Sequence, residues 1–223
     1  MFAKKRIALY GGTFDPVHFG HLEIARRVSE LFEIEQVLFI PAQVAPHKLG
    51  RPVTAPLHRY AMLALATQED PRLAISTFEI EEPNRRYTID TLSHFAATLG
   101  ASAELFFIMG ADSWTEIATW REWQRLLTMT NHIVVSRPGF ELEGPEEVKD
   151  RIVDMRGQQS LKANDDGRTP KIYLTDVVMR DVSATQIRGL AARQKFAELE
   201  SLLPRAVVHY IEKYGIYQES NEV

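Results

Sequence analysis

The stretch GGTFDPVHFGH, residues 11–21, decides the fold, because it joins a short apolar run, RIALY at 6–10, to a helical pattern. A strand, a turn and a helix in this order begin a parallel β-α-β unit, and such sheets bind ligands outside the carboxyl ends of their strands. Gly11 and Gly12 predict a tight turn and a close approach of the backbone to a ligand. The helix is predicted to begin near His18, where free N–H groups and the positive end of the helix dipole form an anion site.

Two histidines one helical turn apart, His18 and His21, share a face that continues into an apolar stripe. We therefore expect both imidazoles at the mouth of the crevice, where they can donate to phosphate oxygens, with His21 deeper on the stripe. Buried core histidines are one alternative. Two zinc ligands are another, although no Glu-His pattern follows and the chain has no cysteine. A redox dinucleotide site is disfavoured because the turn lacks the spacing G-x-G-x-x-G.

Further apolar runs rich in β-branched and aromatic residues predict strands at 36–40, 73–80, 104–109, 132–136 and 171–176. Amphipathic stretches of helical length lie between them, at 21–32, 57–68 and 88–99. The alternation predicts an α/β fold, a Rossmann-like doubly wound parallel sheet covered on both faces. Gly100 is expected to end the third helix as a left-handed cap.

The remaining segments predict two loops and a helical C-terminal appendage. Residues 137–145 and 157–170 are interpreted as loops, and 183–215 as two or three helices, with Pro204 in the first turn of one. We expect one domain over 1–223, with a core at 1–180 and a helical part at 181–223.

Composition narrows the class of protein. A length of 223 residues suits one domain, and a net charge of -4 disfavours a nucleic-acid partner. The absence of cysteine excludes a disulfide framework and a cysteine nucleophile, and it fits a reducing compartment. The charged start precedes an apolar run too short for a signal peptide, and no run approaches the length of a membrane span. We therefore expect a cytoplasmic protein that has no membrane partner.

Two motifs carry a family resemblance. GGTFDPVHFGH resembles the first signature of the nucleotidyltransferase superfamily, whose core is H-x-G-H, and VSATQIR at 182–188 resembles the second, usually I-S-S-T-x-I-R. The segments between them are similar to the bacterial nicotinate mononucleotide adenylyltransferases, namely APHK at 45–48, NRRYTIDTL at 84–92, MGADSWTEIATWREW at 109–123 and SRPG at 136–139. The resemblance runs from about residue 5 to 217.

The sequence departs from the family pattern at three places. Ala184 replaces the usual second serine, so one hydroxyl contact is lost. APHK stands where P-P-H-K is commoner, and Arg86 precedes Tyr87 where a serine is commoner. None of these changes removes a group that the chemistry needs.

The resemblance implies an enzyme of NAD biosynthesis that joins ATP and nicotinate mononucleotide into nicotinate adenine dinucleotide and pyrophosphate. The implied catalytic residues are His18, His21, Lys48 and Arg188. The implied ATP site adds Gly11, Gly12, Thr13, Phe14, Gly110, Asp112, Ser183 and Thr185. The implied mononucleotide site contains Lys48, Tyr87, Thr88, Trp120 and Arg137. Mg²⁺ is expected on the phosphates of ATP, with no side-chain metal ligands predicted.

Residue chemistry supports several of these roles. Ser183, as a helix cap, leaves N–H groups for the β,γ-phosphates, and Arg188 lies one turn after Thr185 and can point to the same place. Lys48 can reach the phosphates as a point charge. The competing interpretation of the motif VSATQIR is a plain capped surface helix. Asp112 is expected to accept from ribose hydroxyls, with a simple N-cap as its alternative.

Some residues and functions stay open at this level. Asp15 either fixes the loop or lies near magnesium. Trp114, Trp120 and Trp123 are core candidates by default, but Trp120 also matches the family position that stacks on the pyridine ring. Thr88 is expected to cap the third helix. Alternative functions are another mononucleotide or pantetheine-phosphate adenylyltransferase and an ATP-sensing module without catalysis. The sequence does not predict an oligomeric state.

Overall fold

The computed structural model describes residues 4–43, 53–81, 87–137, 142–160, 169–178, 180 and 182–218. Seven strands form one sheet in this part of the chain: β1 (Lys5–Gly12), β2 (Gln36–Pro41), β3 (Leu73–Ile75), β4 (Ala103–Gly110), β5 (Asn131–Val135), β6 (Ile152–Asp154) and β7 (Ile172–Thr175). All neighbouring strands are parallel, in the order β3-β2-β1-β4-β5-β7-β6. The winding direction reverses between β1 and β4, which is where such sheets form a ligand crevice.

Helices occupy the connections and the C-terminal part: α1 (Phe19–Phe32), α2 (Pro56–Thr67), α3 (Phe78–Glu81), α4 (Thr88–Leu99), α5 (Ala111–Thr115), α6 (Trp123–Met129), α7 (Ala184–Ala192), α8 (Phe196–Leu199) and α9 (Arg205–Tyr214). Short 3₁₀ helices cover Gly100–Ser102, Ile117–Thr119 and Glu146–Arg151. The α/β class, the parallel sheet and the helical C-terminal part are therefore confirmed.

One predicted strand is wrong in its second half, and one strand was not predicted. The run 73–80 is a strand only over Leu73–Ile75, and Phe78–Glu81 is a turn of helix. The reason is local, since the hydroxyl of Ser76 accepts from the backbone N–H of Phe78 at 3.1 Å and turns the chain out of the sheet. The unpredicted strand Ile152–Asp154 is a three-residue edge strand, too short for a clear pattern.

Two helix caps also differ from expectation. Gly100 has the expected positive φ of 53°, but its ψ of −144° lies outside the left-handed helical region. Pro204 is the N-cap of α9 rather than a residue of its first turn. The last helix ends at Gly215 in a left-handed cap, with φ 61° and ψ 27°.

The side chains of β1 alternate between two apolar clusters. Ala8 and Tyr10 pack into one cluster with residues of α1, α2 and α7–α9. Ile7 and Leu9 pack into the other with residues of α4–α6. The sheet is thus buried on both faces, and parallel sheets of this kind bind ligands outside the carboxyl ends of their strands. No helix among the described residues is both long and apolar enough to cross a membrane.

Candidate active site

The loop after β1 turns at a residue other than the predicted glycines. Gly11 and Gly12 end the strand without a positive φ, and the chain turns at Phe14, with φ 50°, before the cis Asp15–Pro16 bond. The predicted glycine turn is therefore wrong. Gly12 is needed for space instead, because a Cβ there would lie 2.8 Å from the ring of Phe14. That ring is buried against Tyr10, so a contact from Phe14 to ATP would have to come from its backbone.

The two histidines begin α1 and stack on each other, with ring centroids 3.7 Å apart. His18 is the N-cap residue, and its backbone N–H donates to Nδ1 of His21 at 3.3 Å. This bond assigns the tautomer of a neutral His21, since Nδ1 accepts and Nε2 must carry the proton. The apolar stripe that follows them is buried as expected.

His18 is the more deeply buried of the pair, with 7% of its surface exposed, whereas His21 is only half-buried. The expectation that His21 lies deeper is therefore wrong. The cause is the direction of the His18 ring, which lies over Gly20, where a Cβ would come within 3.1 Å of it. Burial lowers the pKa of His18 to about 4, so the ring is neutral at pH 7 and can donate through one N–H.

The first amide of α1 is not available to a ligand. The N–H of Phe19 donates to the carbonyl oxygen of Leu202 at 3.0 Å, so the expected set of free N–H groups is smaller than predicted. This bond ties the start of the helix to the segment between α8 and α9.

The second motif lies against the first. Ser183 is the N-cap of α7, and its side chain accepts from the N–H of Gln186 at 3.2 Å, as expected of a capping serine. Arg188 donates through Nη1 to the carbonyl oxygen of Asp15 at 2.7 Å and through Nη2 to Oγ1 of Thr185 at 3.2 Å. The structure thus brings together two motifs that are more than 150 residues apart in sequence.

Asp15 fixes the loop. Its carboxylate is buried and accepts from the hydroxyl of Tyr217 at 2.7 Å and from the N–H of Thr54 at 3.3 Å. Burial and the neighbouring Asp15 charge raise the pKa of Tyr217, which therefore remains a protonated donor. Of the two interpretations left open for Asp15, these contacts favour loop fixing.

A cavity of about 290 Å³ lies at the carboxyl edge of the sheet, beside β1, β2 and β4. It is lined by Gly11, Gly12, Thr13, Ile40, Ala42, Glu79, Tyr87, Thr88, Ile89, Thr91, Phe107, Ser113, Thr119, Trp120, Arg121 and Leu126. Six of the predicted site residues are among them, from both the ATP and the mononucleotide sets. The wall is largely apolar with a few polar groups, as is usual for a small-molecule site.

One wall of this cavity carries aromatic and cationic side chains. Trp120 lines it, whereas Trp114 is buried in the core as expected. Tyr87 is 44% exposed, and the guanidinium carbon of Arg121 lies 4.8 Å from the centre of its ring. The predicted cap of this helix is wrong by one residue, because Tyr87 is the N-cap of α4 and Thr88 is its first helical residue.

The other predicted residues lie outside this lining. Asp112 is exposed in the first turn of α5, and Gly110 is the N-cap of that helix, so Asp112 is not an N-cap. Arg137 is exposed after the end of β5. Lys48 lies outside the described residues, as do the segment APHK and Arg86.

Two charged residues near the cavity were not anticipated. Arg59 of α2 is only 1% exposed, because it stands on the same helix face as the buried Met62 and Leu63. A cation on the apolar stripe of a helix is the sequence signal that could have found it. Glu79 lines the cavity and accepts from the hydroxyl of Thr91 at 2.7 Å, while burial raises the pKa of its carboxyl group.

The acidic and histidine side chains of the described residues form no cluster of three or more that could hold a metal ion. Mg²⁺ needs few protein ligands when it arrives with substrate phosphates. The expectation that magnesium arrives on the phosphates of ATP therefore stays a prediction.

The fold and the paired motifs define a nucleotidyltransferase, and comparison with known proteins agrees. Residues 9–190 match the family model described as cytidylyltransferase-like, so the chain belongs to that family. Within it, the chain is 38% identical over 217 residues to a probable nicotinate-nucleotide adenylyltransferase of Thermoanaerobacter sp., covering 97% of this chain and 96% of the relative. A relative of the same name from Desulfitobacterium hafniense is 40% identical over 215 residues, covering 96% of each chain. The chain is therefore a member of the nicotinate-nucleotide adenylyltransferases.

Solved structures agree on the fold. The nicotinic acid mononucleotide adenylyltransferase of Plasmodium falciparum, complexed with NaAD, superposes with a TM-score of 0.71 at 19% identity, over 96% of this chain and 97% of that one. The same protein complexed with APC gives a TM-score of 0.70 at 18% identity.

Proposed function

We propose that this enzyme transfers the adenylyl group of ATP to nicotinate mononucleotide and releases pyrophosphate. The observation that carries the proposal is the contact between the two motifs, in which Arg188 holds the carbonyl of Asp15 three residues before His18. This contact would keep a fixed cation beside the loop that leads to the two imidazoles. The aromatic wall at Trp120 belongs to the cavity that Thr13 of the same loop also lines.

The reaction needs no general base. The attacking phosphate monoester has a second pKa of about 6 and is mostly dianionic at pH 7. One of its oxygens bonds to the α-phosphorus of ATP, and the bond from that phosphorus to the α,β-bridging oxygen breaks, so pyrophosphate leaves with the electron pair. The barrier comes mainly from bringing two polyanions together, so that positioning and charge neutralisation must supply most of the rate.

The two histidines suit that task as hydrogen-bond donors. Because burial holds the pKa of His18 at about 4, His18 would donate a hydrogen bond to a phosphoryl oxygen rather than a full charge. His21, whose Nδ1 accepts from the backbone, is left with Nε2–H as its donor. Fixed donors of this kind stabilise the charge that develops on the transferring phosphoryl group.

Permanent positive charge would come from other groups. Arg188 is held at 2.7 Å from the loop that carries the histidines. Lys48 remains a predicted phosphate contact, and Ser183 with Thr185 would offer the N-terminus of α7 to the β,γ-phosphates. Magnesium bound to ATP would supply further neutralisation of the triphosphate when present.

The acid end of the mononucleotide would be recognised at the aromatic wall. A cationic pyridinium on the indole of Trp120 would gain about 0.5–2 kcal/mol. The backbone N–H of Trp120 already donates to the carbonyl oxygen of Ile117 at 3.0 Å. Backbone N–H groups near Thr88 would give a carboxylate charge-assisted bonds, whereas an amide NH₂ would face a donor. We therefore expect kcat/KM for nicotinate mononucleotide to exceed that for nicotinamide mononucleotide by at least about a hundredfold.

The test is a pyrophosphate-release assay at saturating ATP and magnesium, with nicotinate mononucleotide, nicotinamide mononucleotide and pantetheine phosphate as acceptors. Turnover with the first alone, and identification of nicotinate adenine dinucleotide by mass, would support the proposal. Comparable kcat/KM for acid and amide would overturn the substrate assignment. ATP binding without pyrophosphate release from any acceptor would indicate a nucleotide sensor instead.

A further inference from the structure

Arg59 is a buried cation that donates to two of the residues lining the cavity, Thr13 and Ala42. It is 1% exposed within α2, between Pro56 and Met62, so its guanidinium has been removed almost completely from water. Burying a charge is costly unless all its donors find partners, and this side chain presents five N–H groups in a rigid fork.

Those partners are backbone carbonyl groups of three separate segments. Nε donates to the oxygen of Thr54 at 2.8 Å, and Nη1 donates to the oxygen of Thr13 at 2.7 Å. Nη2 donates to the oxygens of Ala42 at 2.5 Å and of Gln43 at 3.4 Å. Thr13 follows the end of β1, and Ala42 follows the end of β2. One planar group therefore connects the two loops that leave the carboxyl edge of the sheet at neighbouring strands.

Both loops contribute to the cavity, since Thr13 and Ala42 line it. They are also bonded directly, because the N–H of Ala42 donates to the carbonyl of Gly12 at 2.9 Å. Arg59 adds a second connection between them. The relative position of these two cavity walls thus depends on a residue that does not itself line the cavity.

Two carboxyl groups lie near the buried guanidinium. Burial lowers the pKa of Arg59, and the nearby Asp15 and Glu79 act in the opposite direction. Both belong to the proposed site, since Asp15 lies in the loop held by Arg188 and Glu79 lines the cavity.

We propose that Arg59 is a positioning residue for the adenylyl transfer, which holds the loop after β1 and the loop after β2 at the separation that aligns the two substrates. This inference rests on the proposed function. It assigns to Arg59 an effect on turnover that is separate from its contribution to stability, although Arg59 does not line the cavity.

The experiment compares Arg59→Lys and Arg59→Ala with the wild type and with Arg205→Ala, an exposed arginine whose side chain is 76% exposed, as control. Lysine keeps the charge but cannot reproduce a fork that reaches several carbonyls. We expect folded Arg59→Lys to lose about 10- to 100-fold in kcat, with KM for ATP changed less than threefold, because misplacement of reacting groups by about 1 Å can cost 10²-fold. Circular dichroism and thermal melting measure the folded fraction under assay conditions.

Chemical rescue separates positioning from stability. Guanidinium chloride or methylguanidinium at millimolar concentration should raise kcat of Arg59→Ala at least fivefold and leave the wild type and Arg205→Ala unchanged. Guanidinium weakens folding in general, so a gain in turnover cannot come from stabilisation. A gain therefore indicates that the vacated guanidinium position has been refilled.

Each outcome decides the proposal. A folded Arg59→Lys with kcat within threefold of the wild type overturns it, and so does a loss of turnover in Arg59→Ala that guanidinium does not reverse. If neither variant folds, Arg59 serves stability alone and the proposal also fails. Failure of the proposed function is distinguishable, because then the wild type itself makes no nicotinate adenine dinucleotide in the parallel assay.

Discussion

Gly20 offers a perturbation in which stability and activity should change in opposite directions. The residue stands in the first turn of α1, and a Cβ added there would lie 3.1 Å from both Cε1 and Nδ1 of His18. Contacts this short are rare, so in Gly20→Ala the imidazole must move by a few tenths of an ångström. The substitution therefore displaces the proposed phosphoryl donor without removing it.

The sizes of the two effects follow from this geometry. If a misplacement of about 1 Å costs about 10²-fold in rate and the cost scales in the logarithm, a shift of about 0.3–0.5 Å costs about 4- to 10-fold in kcat. Alanine at a helical position without a positive φ stabilises the protein by about 0.4–1 kcal/mol through the unfolded chain. In a chain of this size that corresponds to a rise in Tm of up to about 4 °C, reduced by any strain left in the contact.

The assay is steady-state pyrophosphate release at saturating substrates, together with a thermal melt of the same preparations. Gly189→Ala in α7 is the matched control. A Cβ at Gly189 would lie 3.6 Å and 3.8 Å from the two guanidinium nitrogens of Arg193, which are its nearest neighbours and at ordinary contact distance. We expect Gly189→Ala to gain stability and keep its kcat. Wild-type turnover in Gly20→Ala, or an equal loss in the control, would refute the placement of the His18 ring at the reacting phosphate.

Three further results are expected. His18→Ala should fold and lose about 10²–10³-fold in kcat, since it removes one fixed donor. The control is His209→Ala, which changes an exposed histidine. Full turnover in His18→Ala, or an equal loss in the control, would contradict the role of His18. Trp120→Ala should raise KM for the mononucleotide by about 2- to 30-fold and leave KM for ATP unchanged, whereas equal losses for both substrates would make Trp120 a core residue. Burial lowers the pKa of His132 to about 3, so below about pH 6.5 this histidine is protonated in the unfolded chain but stays neutral in the folded chain. The free energy of unfolding should therefore fall by about 1.4 kcal/mol per pH unit as the pH drops below 6.5. Thermal melts at decreasing pH measure this loss. If the Tm of His132→Leu falls as steeply as that of the wild type, His132 is not the cause.

The fold could be predicted because its signals are local. The helix over 88–99 was predicted with the bounds that the structure gives, and the strands at 36–40 and 104–109 are each short by only one or two residues. Periodicity fails where a side chain redirects the backbone, as Ser76 does inside the run 73–80. It also fails for three-residue strands, which hold too little pattern to separate them from loop.

The site was predictable only in part, for the same reason. The motifs name the histidines and Arg188, but they cannot show which histidine is the more buried, because that depends on the rotamer of His18 above Gly20. They also cannot show that Arg59 reaches Thr13, 46 positions away, since such a bond exists only after α2 has packed. Resemblance predicts which groups contact the substrate, whereas the groups that position those residues must be found in the structure.

The helical C-terminal part is better understood as a component of the site than as an appendage to it. The loop after β1 contains Phe14 at a positive φ, a conformation that costs about 1–3 kcal/mol in a residue other than glycine and that persists only when its surroundings enforce it. Much of that enforcement comes from residues beyond 183, because Arg188 and Tyr217 hold the carbonyl and the carboxylate of Asp15, and Leu202 accepts from the start of α1. The C-terminal helices therefore contribute directly to the conformation of the loop that leads to His18.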